Sequence, residues 1–138
     1  MSVQLNPYLS FQDNAREAMN FYQSVFGGNL TVSTFKEFGA AMDPAEEDLV
    51  MHAQLEGDHG ITFMGSDTPS RMEYKPGSTM SMSLSGDDET VLRGWFDKLS
   101  ESGTVTMPLE KAPWGDMFGM CVDRFGIAWL VNASGQSS

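Results

Sequence analysis

The chain repeats itself, and the repeat limits the folds open to it. The stretch Leu9–Gly28, LSFQDNAREAMNFYQSVFGG, has a counterpart in Met82–Gly103, MSLSGDDETVLRGWFDKLSESG. Each opens on a short strand that ends in Ser and an apolar residue (Ser10-Phe11, Ser83-Leu84) and runs into Asp, a residue type that caps helix N-termini. Each then carries an aromatic pair, Phe21-Tyr22 or Trp95-Phe96, and stops at glycine. Ser83 follows Ser10 by 73 residues and Trp95 follows Phe21 by 74, so one residue is inserted between strand and helix, at Gly86. In the helical parts, Ala15, Ala18, Met19, Tyr22, Val25 and Phe26 share one face, as do Leu92, Trp95, Phe96 and Leu99. Gly27-Gly28 and Gly103 read as helix stops.

The second half of each unit repeats as well. Asp48–Met64 and Trp114–Leu130 each set two β-rich runs around a glycine-containing turn, Gly57-Asp58-His59-Gly60 or Asp123-Arg124-Phe125-Gly126. Leu30–Phe38 and Val105–Leu109 add one strand each. Each unit therefore reads β-α-β-β-β, and the chain is an α+β protein of one domain, 1–138, with unit one at about 3–65 and unit two at about 79–132. Loops are expected at Gly39–Glu47, Gly65–Ser78 and Pro108–Gly115.

Strand alternation assigns the faces. In Val3–Phe11 the apolar Val3, Leu5 and Leu9 are expected to pack on the helix, leaving Gln4, Asn6, Tyr8 and Ser10 on the opposite face. In Val50–Glu56, Met51, Ala53 and Leu55 pack, and His52, Gln54 and Glu56 face away. In Thr79–Ser85, Met80, Met82 and Leu84 pack, with Thr79, Ser81, Ser83 and Ser85 opposite. Asp116, Phe118 and Met120 share that helix-free side with Ala128 and Leu130. Asn6, Tyr8, His52, Gln54, Thr62, Thr79, Ser81, Trp114, Asp116 and Phe118 are thus the candidate ligand-binding set. An antiparallel sheet with one solvated face gives the same alternation without any ligand.

Charge narrows the partners. Eight Lys and Arg against nineteen Asp and Glu give a net charge of −11. Such a field repels phosphate backbones and anionic lipid, so neither nucleic acid nor a membrane is expected as a partner. No apolar run approaches the roughly 20 residues of a membrane span, and MSVQLNPYL has no basic or apolar signal-peptide region. A cytoplasmic location is the expectation. The lone Cys121 excludes an internal disulfide, and no Walker, G-x-S-x-G or C-x-x-C motif occurs.

The opening NPYLSF, the helix end NFYQSVFGG, the strand VMHAQLEG, the segment WGDMFGMCVDRFG and the closing IAWLV resemble the PhnB-like branch of the vicinal oxygen chelate superfamily, which includes glyoxalase I, bleomycin-resistance proteins and extradiol dioxygenases. The resemblance implies a curved mixed sheet around a cavity, and homodimerisation. It also implies a metal held by first-strand and last-strand positions of each unit. These fall at Asn6, Thr79, Met64 (or Thr62) and Leu130 (or Ala128), which supply neither imidazole nor carboxylate. No metal and no cofactor are therefore expected.

Two functions remain. One is a metal-independent small-molecule-binding protein, for sequestration or resistance. The other is an enzyme with a non-standard site using His52 as base and Asp116 as its partner. His52 equally reads as a strand histidine bonded to Gln54 or backbone, Asp116 as an exposed loop carboxylate, and Trp114 as a ring that anchors its own loop. Trp129 and Cys121 have the parity of core residues.

Overall fold

Apolar residues three and four apart make one-sided cylinders of Ala15–Phe26 (α1) and Glu89–Ser100 (α2), and each helix covers one sheet. The computed structural model describes residues 5–134 apart from 38, 40, 42, 43, 70, 71, 76 and 78. The chain divides into two compact units, Met1–Pro76 and Gly77–Ser138.

Unit one contains β1 (Tyr8–Phe11), α1, β2 (Asn29–Thr34), β3 (Val50–Glu56) and β4 (Thr62–Asp67), in sheet order β1-β4-β3-β2. Unit two contains β5 (Met82–Gly86), α2, β6 (Thr104–Lys111), β7 (Met117–Val122) and β8 (Ala128–Ala133), in sheet order β5-β8-β7-β6. The first strand of each unit lies parallel to the last, and the other pairs are antiparallel. This is the β-α-β-β-β repeat expected from the duplication, built as two mixed four-stranded sheets.

Each core forms between helix and sheet. In unit one Phe63 of β4 meets the edges of Tyr22 and Phe26, with ring centroids 5.4 and 5.9 Å apart. In unit two Leu84, Leu92, Phe96, Leu99, Cys121, Trp129 and Val131 are buried together. Two buried carboxylates tie loops to these cores. Asp67 accepts from the backbone N–H of Ala15 through Oδ1 and of Val50 through Oδ2, both at 2.9 Å. Asp123 accepts from the backbone N–H of Phe125 and Ile127 through Oδ1, at 2.8 and 3.1 Å, and from Trp129 Nε1 through Oδ2, at 2.9 Å.

The two helices start differently. Asp88 caps α2 by accepting from the N–H of Val91. In α1 the N-cap position is Asn14, whose side chain makes no capping bond, and Asp67 from β4 serves the first N–H instead. Gly27 (φ 71) ends α1 as expected. Gly103 is not in the left-handed region; a Cβ there would strike the carbonyl of Val122, so close approach of the chain demands glycine.

Several expected details are corrected. The first strand begins at Tyr8, not at residue 3. Leu5 is 98% exposed rather than packed on α1, while Val3 and Gln4 lie outside the described residues. Among the described residues pairing reaches back to the Pro7 carbonyl, which accepts from Met64, because a proline has no N–H to continue the ladder. Met80 is 85% exposed rather than packed. Parallel pairing of β5 begins at Met82 opposite Trp129, one residue into β8, so Thr79, Met80 and Ser81 precede the strand. In β3 a bulge pairs Ser33 with His52 but Thr34 with Val50, so Val50, not Met51, is the fully buried residue. β2 ends at Thr34, short of the expected Phe38, which is outside the described residues. β4 continues through Asp67 and β6 through Lys111, into stretches expected as loop.

Candidate functional site

In unit one the helix-free face is polar. Register aligns Tyr8 with Met64, Met64 with Gln54, and Gln54 with Thr31. Thr62 stands beside Glu56, and His52 beside Ser33. Tyr8 Oη lies 3.4 Å from His52 Nδ1, a long contact in which the phenol donates when the imidazole carries its proton on Nε2. The two rings are 5.8 Å apart and tilted by 40°. Gln54 is not the partner of His52; its Nε2 donates to Glu56 Oε1 at 3.1 Å. Tyr8, His52, Gln54 and Thr62 therefore share one face, away from α1. Asn6 lies before β1, half-buried and outside the ladder.

In unit two the same face is apolar and aromatic. One row runs Met107, Met120, Leu130, Ser83; the next runs Glu110, Phe118, Asn132, Ser85. Trp114 packs on Phe118 with centroids 5.5 Å apart and ring planes at 65°, yet 60% of Trp114 is exposed. Asn132 Nδ2 donates to Asp116 Oδ2 at 3.0 Å. The β6–β7 turn that presents Trp114 and Asp116 closes through the N–H of Ala112 bonding to the Asp116 carbonyl at 2.7 Å, and Gly115 supplies its left-handed residue at φ 102. Thr79 and Ser81 are exposed ahead of β5 and are not part of this face's ladder.

Sequence reasoning missed Asn132 and Glu110. Asn132 has the parity of Leu130 and was available from alternation. Glu110 was not, because register shifts between Val105 and Glu110 break the count along β6. His52 belongs to unit one and Asp116 to unit two, so each is placed within its own unit only.

The residues do not fit the metal that the resemblance implies. Met64 aligns with Tyr8 and Gln54, and Leu130 with Ser83 and Met120; a thioether and an alkyl group replace the needed ligands. Thr62 and Ala128, two residues away on the same face, are no better. Among the described residues no group of three His, Cys, Asp or Glu is placed to hold a metal ion. Cys121 is buried, and its thiol is pushed up to about 11 by burial and, secondarily, by the negative charge of Asp123.

Fold and motifs together define the class. The model of the Glyoxalase/Bleomycin resistance protein/Dioxygenase superfamily matches residues 4–131, and the chain belongs to that superfamily. Protein YjdN of Escherichia coli (strain K12) is 30% identical over 141 residues, covering 93% of each chain. Among solved structures, protein PA1353 from Pseudomonas aeruginosa is 38% identical with a TM-score of 0.81, covering 98% of this chain and 100% of that one. A PhnB protein from Bacillus cereus is 28% identical with a TM-score of 0.76, covering 96% of this chain and 100% of that one. The PhnB-like character read from NPYLSF and WGDMFGMCVDRFG is thus borne out. No helix among the described residues is long and apolar enough to cross a membrane.

Proposed function

We propose that this chain is a metal-independent small-molecule-binding protein of its superfamily, acting by sequestration or resistance in the cytoplasm as a homodimer. The observation that carries the reading is the helix-free face of unit two. There an exposed Trp114, braced by Phe118, stands next to the Asp116–Asn132 pair. Apolar surface with a few fixed polar groups is the usual make-up of a small-ligand site. The Met64 and Leu130 positions supply no metal ligand, so binding rests on the side chains themselves.

The test is a fragment titration followed by backbone-amide NMR, with a chelator present throughout. Binders are expected to shift the amides of residues 114–120 and 130–132. Shifts that appear only in a parallel titration without chelator and with zinc, nickel or manganese supplied would contradict the reading. A second reading, an enzyme with a non-standard site, draws on the Tyr8–His52 contact, which sets a base beside a phenol. It predicts turnover of a bound compound that His52→Ala abolishes.

A further inference from the structure

The helix-free face of unit two carries one polar group whose hydrogen-bonding capacity is only partly used. Asn132 lies directly opposite Phe118 on the neighbouring strand and shares the parity of Leu130, away from the buried Trp129, Val131 and Ala133. Its Nδ2 donates to Asp116 Oδ2 at 3.0 Å. A carboxylate accepts and does not donate, so this bond turns Nδ2 toward Asp116 and Oδ1 away from it. A side-chain amide has two N–H donors and a carbonyl acceptor. Among the described residues the Asn132 side chain makes no other hydrogen bond, and no buried side-chain oxygen or nitrogen there lacks a partner. Oδ1 is therefore reachable from outside, with one N–H of Nδ2 beside it.

This donor and acceptor border a flat, polarisable floor. Trp114 meets Phe118 edge to face and is largely exposed. In the next row Met107 stands directly opposite Met120. Aromatic rings favour further rings packed edge-on or offset, and thioether sulfur makes favourable contacts with ring edges. An aliphatic ligand of equal size gains neither.

We propose that this face selects neutral planar lactams, flat heteroaromatic rings with an N–H beside a carbonyl on one edge. The ring lies against Trp114 and Phe118, its N–H donates to Asn132 Oδ1, and its carbonyl accepts from the second hydrogen of Asn132 Nδ2. The inference rests on the small-molecule-binding reading above and adds the class of ligand to it. An amide and a lactam match in both bonds at once, as when Asn pairs with the edge of a nucleobase. A net charge of −11 leaves a neutral ring unopposed and disfavours an anion of the same shape.

Three probes test it: 2-quinolone (lactam edge and aromatic ring), 1-methyl-2-quinolone (same ring, N–H blocked) and octahydro-2-quinolone (same edge, saturated ring). Each is titrated calorimetrically into the full chain. 2-Quinolone is expected to bind about tenfold tighter than its N-methyl form, and about threefold or more tighter than the saturated lactam. In Asn132→Ala the first preference should vanish, while Trp114→Ala should weaken both aromatic probes by a similar factor. On the unmodified chain, the side-chain NH2 signals of Asn132 in an NMR spectrum should shift with 2-quinolone and much less with the N-methyl form. That readout decides the matter even if a variant fails to fold. Equal affinity for the two quinolones, a preference that persists in Asn132→Ala, or unshifted Asn132 NH2 signals overturns the lactam edge. A saturated lactam that binds as tightly as 2-quinolone overturns the aromatic requirement. In all these cases small-molecule binding itself stands. If none of the three binds, the proposal fails too, and the fragment titration decides separately whether the binding reading survives.

Discussion

Replacing Asp123 tests whether one buried carboxylate holds the β7–β8 hairpin that carries Phe118, Met120, Leu130 and Asn132. The side chain belongs to a residue only 3% exposed and accepts three N–H groups, from Phe125, Ile127 and the Trp129 indole. Asp123→Ala strands all three. The indole is fully buried, and leaving its N–H unpaired costs about 2 kcal/mol. The two turn amides are part-buried and water can reach them, so each costs about 0.5–1 kcal/mol. The sum is about 3–4 kcal/mol, or a fall in Tm of about 10 °C for a chain of this size. Asp123→Asn keeps an oxygen for the turn amides but turns an NH2 toward the indole N–H, so it should cost about 1–2 kcal/mol. Urea unfolding at 25 °C reads both, with the slope unchanged and the midpoint lowered. A loss below about 0.5 kcal/mol for Asp123→Ala would refute the reasoning, since losses that small are ordinary for surface changes.

Asp67→Ala leaves the N–H groups of Ala15 and Val50 unpaired and should cost about 2–4 kcal/mol, whereas Asn14→Ala, at a cap position whose side chain makes no capping hydrogen bond, should change stability little; comparable losses for the two in urea unfolding would contradict the long-range cap. Cys121 has an ordinary value of 9.0 raised to about 11, so the folded state holds the thiol proton more tightly than the unfolded one. Its contribution is complete below pH 9 and is lost as pH rises toward 11. Relative to Cys121→Ala, the urea midpoint should fall over that window, and iodoacetamide at pH 8 should modify the native thiol roughly a hundredfold more slowly than the unfolded one. The proposed homodimer predicts sedimentation at twice the chain's mass at micromolar concentration in 0.15 M salt, with β1 and β5, edges of their own sheets, as strands a second copy could pair with; a clean monomer there would sink the dimer.

The fold was legible because duplication and alternation are local signals that tertiary structure did not override. Both helices, both hairpins and the parity of His52, Gln54 and Phe118 came from spacing alone. What failed did so where backbone pairing, not hydrophobicity, sets the limit. Leu5 and Met80 look like core residues in sequence, but among the described residues no neighbouring strand extends to meet them. The Val50 burial and the Glu110 position depend on bulges, which leave no mark in composition. The cap of α1 comes from Asp67, 52 residues away from Ala15, where reading residues near the helix start finds only Asn14. The polar partner of Asp116 was visible as Asn132 but had to be chosen among several residues of equal parity.

Metal content tests the proposed metal independence most directly. The protein is purified without chelator, exposed to zinc, nickel, manganese and iron in turn, dialysed exhaustively and analysed by mass spectrometry for each metal. The positions of Met64 and Leu130, with Asn6 and Thr79, predict no stoichiometric metal after dialysis. One equivalent of metal that survives dialysis and disappears in His52→Ala would contradict metal independence and favour the enzyme reading in its place.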